Sequence, residues 1–128
     1  MKKFNIACII DDDPIFIFGT KRIMQLANFC EGFLVFHNGK EAYESLRAII
    51  IGGEKLPDLI LLDLNMPIWD GWQFLDEFIQ IPNEKATTIY IVTSSIDPED
   101  VKKAEAYEIV SNYLVKPIKM EDLKKLME

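Results

Sequence analysis

Five apolar runs punctuate this chain, and each gives way to polar residues that open a turn or a helix. Residues 5–10 read as a buried strand. Asp13-Pro14 then starts a helix over about 14–29, with proline in its first turn and Asp13 as its cap. GFLVF at 32–36 is a second strand, and His37-Asn38-Gly39 turns into a helix over about 39–51. The loop at 52–57 carries two glycines and a proline. LILLDL at 59–64 is the most apolar strand and therefore a central one, and Asp70-Gly71 leads into a helix over about 71–80. Residues 88–93 form a fourth strand, and Asp97-Pro98 starts a helix through about 108. A fifth strand spans 111–115, Lys116-Pro117 breaks it, and a short helix at about 119–127 follows. Five βα units in succession imply a parallel sheet with helices on both faces.

Composition narrows the class. The 128 residues suffice for one domain with a real core, and 49% hydrophobic content excludes disorder. A net charge of −7 argues against a nucleic-acid surface and for an acidic partner face or simple solubility. Cys8 lies inside an apolar run and Cys30 after the first helix; no metal spacing links them, and both read as reduced thiols. The start MKKFNIACIIDDD has a short apolar run, but its three aspartates spoil a signal-peptide cleavage region. No apolar stretch approaches the roughly 18 residues that a membrane span needs. The expectation is a cytoplasmic domain with neither a membrane nor a nucleic-acid partner.

The chemistry collects at strand ends, where open α/β sheets gather their ligands. Asp11, Asp12 and Asp13 follow strand one. A helix cap needs one aspartate, so a capped turn and a cation site are both open there. Like charges about 4 Å apart repel by about 4 kcal/mol at an effective dielectric of about 20. Asp63, ending a neighbouring strand, adds a fourth carboxylate and favours the cation. Hard oxygen ligands without His or Cys suit magnesium. His37 reads as a solvated turn residue. Lys116 ends strand five and can set a point charge against a phosphoryl oxygen, and the Thr93 hydroxyl can hydrogen-bond the same group. Carboxylate nucleophile, metal and lysine together favour phosphoryl transfer. No Gly-rich nucleotide loop is present, so ATP is not the obvious donor. Trp72 reads as helix-start packing and Trp69 as a neighbour of the metal edge.

Taken in order, these residues resemble the receiver domain of bacterial two-component response regulators, in its single-domain, chemotaxis-regulator-like form. The resemblance covers essentially the whole chain. Asp11 and Asp12 match the family's acidic pair, and Asp63 in LLDLNMP matches its phosphorylated aspartate. Thr93 matches the hydroxyl after strand four, and Lys116-Pro117 the pair after strand five; Met66-Pro67 and Asp70-Gly71 fit the intervening loop. The fold implied is a flavodoxin-like doubly wound (βα)5 domain with strand order 2-1-3-4-5. By position, Asp63 would attack the phosphorus of a phosphohistidine on a histidine kinase or histidine phosphotransfer protein. Mg2+ would be held by Asp12, Asp63 and the backbone carbonyl of Asn65, with Asp11 acting through water. Lys116 would pair with the phosphoryl group and Thr93 would swing toward it. Tyr113 matches the switch aromatic of the helix-4, strand-5, helix-5 face, although a half-buried strand aromatic reads equally well. The Lys116-Pro117 peptide is expected to be cis, and Asn65 and Ser95 hold positions tied to phosphoryl lifetime. The resemblance thus implies one receiver domain over 1–128 without an output domain, and no enzyme beyond self-catalysed phosphorylation and dephosphorylation. It would act on a downstream protein or in a phosphorelay, as a monomer or a phosphorylation-dependent dimer.

Two features depart from the pattern. The stretch AYEIVSNYLVKP lacks the small Ala-Gly element often found before strand five. In helix one, Phe16, Thr20, Ile23 and Ala27 make a core stripe, which leaves Ile15, Ile17 and Phe18 near solvent. Exposed apolar clusters mark partner sites, and the family docks helix one on its kinase. Ile17 and Phe18 therefore read either as docking residues or as residues buried under the final helix. Competing functions fit less well. A magnesium phosphatase using an aspartyl phosphate needs a second acid two residues after the nucleophile, where Asn65 stands. A flavodoxin-like cofactor binder needs a Ser, Thr or Gly-rich loop where three aspartates stand. A phosphorylation-silent interaction scaffold has no need of the intact Asp63, Thr93 and Lys116 set.

Overall fold

A computed structural model describes residues 4–82, 85–94 and 97–127. Its strands are β1 (Phe4–Ile10), β2 (Cys30–Phe36), β3 (Leu59–Asp63), β4 (Thr88–Thr93) and β5 (Val110–Val115). Between and after them run α1 (Pro14–Leu26), α2 (Gly39–Ile51), α3 (Gly71–Phe78), α4 (Pro98–Ala104) and α5 (Met120–Met127). All strand pairs are parallel, in the order β2-β1-β3-β4-β5, which is the doubly wound arrangement expected.

Alternation along the central strands builds two cores. Ala7 and Ile9 of β1 and Leu59 and Leu61 of β3 pack with Phe16, Met24, Leu123 and Leu126 of α1 and α5. Cys8, Ile10, Ile60 and Leu62 face the other way, onto Leu46, Phe74 and Phe78 of α2 and α3. With both faces covered, these strands read as continuous apolar runs. The connection out of β1 goes to one side of the sheet and the connection out of β3 to the other. The two strands therefore part at their carboxyl ends and leave a crevice there.

Helix starts follow the sequence closely. Asp13, Asn38, Asp70 and Asp97 each accept a backbone N–H from the first turn of α1, α2, α3 and α4, and Pro14 and Pro98 open their helices. Helix ends deviate. α1 stops at Leu26 rather than near 29, because Asn28 takes a left-handed φ of 52° and the Phe29 N–H closes back on the Met24 carbonyl at 2.9 Å. That is the αL termination that glycine or asparagine supplies. α4 stops at Ala104 rather than near 108. There the Tyr107 ring stacks on Trp72 with centroids 5.8 Å apart, and its hydroxyl donates to Asp76, which draws the chain away from the helix axis.

The apolar stripe of α1 also differs from expectation. Phe16, Ile17, Thr20 and Met24 are buried, while Ile23 and Ala27 are only half-buried. Ile17 is 9% exposed because it shares a helix face with Thr20 and Met24 at spacings of three and seven, and that face joins the core on this side of the sheet. Of the two residues considered for docking, only Phe18 reaches the surface, at 73% exposure, beside Ile15. Among the described residues no helix is long and apolar enough to cross a membrane.

Candidate functional site

Asp11 sits one residue past β1 and Asp63 ends β3, so the parting of these strands brings both carboxylates to one crevice. Asp11 and Asp63 are buried and Asp12 is exposed, and each offers an oxygen within 4.8 Å of the others. Asp11 is aimed by its own turn, since its Oδ1 accepts the Asp13 N–H at 2.9 Å. Its Oδ2 is buried and makes no hydrogen bond of good geometry, although the Lys116 ammonium lies 2.8 Å away. The same ammonium lies 3.6 Å from Asp63 Oδ1. Lys116 reaches this place because its backbone N–H donates to the Thr93 carbonyl at 2.8 Å, carrying the β4–β5 ladder one step past the strands. Thr93 is itself buried at the end of β4.

The electrostatics are unbalanced. Burial, then Asp11, push the Asp63 carboxyl up to about 6, with a smaller push from Asp12. Lys116 and the Asn65 backbone N–H pull against them without winning. Burial disfavours the Lys116 charge, yet Asp11, then Asp63 and Asp13, outweigh it and hold that ammonium above its ordinary value. Three carboxylates therefore face one ammonium. The excess negative charge and an all-oxygen donor set fit a hard divalent cation.

The sequence reading of this site missed three contributors. The Phe16 ring lies 4.5 Å from the Lys116 ammonium. Gly71 packs against the Asp63 peptide, and Gly39 donates its N–H to the Trp69 carbonyl at 3.0 Å. The glycines were visible as turn signals, but close backbone approach leaves no separate mark in sequence. Trp69 packs on Tyr43, and Trp72 is half-buried against Tyr107 and Lys103. Tyr113 is half-buried between β5 and α4, its hydroxyl donating to the Asp100 carbonyl. His37 is exposed, 3.9 Å from Glu41. Cys8 is fully buried and Cys30 half-buried. The Lys116-Pro117 peptide is cis. Ser95 lies outside the described residues.

Residues 7–128 match the family profile of the response regulator receiver domain. The chain belongs to that family. Among curated relatives, this receiver is 29% identical over 123 residues to a probable methanogenesis regulatory protein, FilR2, of Methanothrix harundinacea, covering 96% of this chain and 79% of that protein. It is 30% identical over 127 residues to a probable C4-dicarboxylate response regulator, DctR, of Priestia megaterium, covering 99% of this chain and 52% of that one. The receiver thus spans about half the length of several regulators it matches. A solved two-component response regulator from Cytophaga hutchinsonii superposes with a TM-score of 0.88 at 31% identity, over 98% of this chain and 95% of that one. The Mn2+-bound form of response regulator Rcp1 superposes with a TM-score of 0.73 at 25% identity, over 96% and 88%.

Proposed function

We propose that this receiver accepts a phosphoryl group from a phosphohistidine on a histidine kinase or histidine phosphotransfer protein, onto Asp63. The observation that carries the reading is the Asp63 carboxylate itself, buried at a sheet crevice with Asp11 and Asp12 on one side and the Lys116 ammonium 3.6 Å away. In the reaction an Asp63 oxygen forms a bond to phosphorus as the phosphorus–nitrogen bond of the donor breaks. The departing imidazole keeps the electron pair and takes a proton. Asp63 must be ionised to attack, and a carboxyl of pKa about 6 is largely so at pH 7.

The remaining groups have distinct tasks. Lys116 sets its charge against the phosphoryl oxygens, and the buried Thr93 hydroxyl donates to one of them. Asp11, Asp12 and Asp63, with the Asn65 backbone carbonyl, would hold Mg2+, much as a divalent ion is present in the Mn2+ form of Rcp1. When bound, the ion supplies the positive charge that offsets three carboxylates and the incoming phosphoryl group. The signal leaves through the face made by α4, β5 and α5, where Tyr113 bridges β5 and α4, or the group passes onward in a phosphorelay. In this reading the receiver works in the cytoplasm and its only catalysis is on itself.

Intact mass after incubation with acetyl phosphate tests the reading, with and without Mg2+, on wild type and Asp63→Asn. One magnesium-dependent phosphoryl adduct, absent from the variant, is expected. Folded wild type that takes no adduct from acetyl phosphate or from a phosphohistidine donor would make the chain a phosphorylation-silent scaffold instead.

A further inference from the structure

Lys116 is held from two sides. Asp11 draws its ammonium into the crevice at 2.8 Å, and Asp63, 3.6 Å away, also attracts it. On the α1 side stands the Phe16 ring, 9% exposed, with its centroid 4.5 Å from the same nitrogen. An aromatic face attracts an ammonium at this distance, most strongly where little water competes. Phe16 comes to this position because Asp13 caps α1 and Pro14 starts it, so the first turn brings the ring beside Lys116. The resulting separations are unequal. Asp11 keeps a contact of ion-pair length, whereas the 3.6 Å to Asp63 Oδ1 exceeds hydrogen-bond range.

We propose that Phe16 is a positioning residue: its ring seats the Lys116 ammonium beside Asp11 and holds it back from Asp63. The proposal rests on Asp63 as the phosphoacceptor. The gap so maintained is where a phosphoryl oxygen must enter, between the nucleophile and the charge that receives it. Without the ring, only Asp11 and the more distant Asp13 hold the ammonium against Asp63. The ammonium then closes on the carboxylate, blunts it as a nucleophile, and has to be displaced before transfer.

Phe16 also packs in the core beneath α1, so the test separates its shape from its π face. Phe16→Leu, Phe16→Tyr and a trifluorinated phenylalanine placed at position 16 are compared with wild type. The fluorinated ring keeps the volume and removes most of the negative face, so it remains informative if the leucine variant fails to fold. Two quantities are read. One is the NMR shift of the Lys116 methylene protons nearest the ammonium, which the ring current displaces. The other is the rate of adduct formation with acetyl phosphate in Mg2+. We expect phosphorylation about 3- to 10-fold slower in the leucine and fluorinated variants. The ring-current shift should vanish in the leucine variant, and the tyrosine variant should match wild type in both readouts. A folded fluorinated or leucine variant that is phosphorylated at the wild-type rate overturns the proposal. If wild type itself takes no adduct, the phosphoacceptor reading falls, and the proposed consequence for transfer falls with it. The Lys116 shift alone then decides whether the ring seats the ammonium: ordinary Lys116 shifts in wild type overturn that part as well.

Discussion

Gly71 lies so close beneath Asp63 that a Cβ added to it would come 2.6 Å from the Asp63 carbonyl oxygen. The same Cβ would lie 3.0 Å from Leu64 Cα, and the Gly71 N–H already donates to the Leu64 carbonyl at 3.0 Å. Both obstacles are backbone, so neither can step aside as a flexible side chain would. Gly71→Ala is therefore expected to destabilise the domain by about 1–3 kcal/mol, as overpacking does. Gly19→Ala is the contrasting case. No atom lies within 4 Å of the added methyl, and the site is interior to α1, so a gain of about 0.5–1 kcal/mol is expected. Urea titration of the two variants should give midpoints on opposite sides of wild type.

The loop after β3 carries strain at an exposed position. Ile68 has a φ of 68° and is 72% exposed. A β-branched residue in the left-handed region costs about 1–2 kcal/mol, and here little burial offsets it. Ile68→Gly relieves the strain but adds chain entropy to the unfolded state, so the net gain should be about 0.5–1 kcal/mol. Thermal melts would read this as a higher Tm, and no change would mean that the isoleucine side chain contributes packing of its own.

The raised Asp63 carboxyl makes stability depend on pH in the metal-free protein. Its pKa is about 6 in the fold against 3.8 for an unperturbed aspartate, so the folded state holds the proton more tightly. The contribution is fully present below about pH 4 and is lost as pH rises through 6. Roughly two pH units of difference correspond to at most about 3 kcal/mol. In EDTA, Asp63→Asn should therefore be more stable than wild type at pH 7, by up to about 3 kcal/mol, and nearly equal to it at pH 4. Denaturant titrations at both pH values would show it; an advantage that grows toward acid has the wrong sign.

Asp12 is the exposed member of the carboxylate group, so its removal should leave the metal-free fold almost untouched. Wild type should gain about 2.7 kcal/mol at a Mg2+ concentration about 100 times its Kd. Asp12→Ala should lose most of that gain while melting like wild type in EDTA. Equal stabilisation of both proteins by Mg2+ would remove Asp12 from the ligand set.

Much of this architecture is legible in the sequence because local chemistry announces it. α2 and β4 begin and end where the glycine turn, the apolar run and the flanking polar residues place them. Asp11, Asp63, Thr93 and Lys116 are found together because each ends a strand of one parallel sheet. What periodicity could not supply is tertiary. The early end of α4 depends on Tyr107 meeting Trp72 and Asp76, which lie about 31 residues or more away. The burial of Ile17 depends on a core assembled from strands and helices far apart along the chain. Asn28 did carry a signal for the end of α1, since asparagine tolerates the left-handed conformation. The seat of Lys116 on Phe16 combines a residue read only as core with one read only as charge.

The hydrogen bond from the Lys116 amide to the Thr93 carbonyl makes the hydroxyl and the ammonium two fittings on one rigid bracket. Their anchor points are tied to each other across the β4–β5 ladder. Adjustment is left to the torsions of two side chains, one short and branched, the other long and pivoting. A receiver built this way would register its substrate as a change of pose on a stationary frame, and whatever the distant face feels must begin as a rotation.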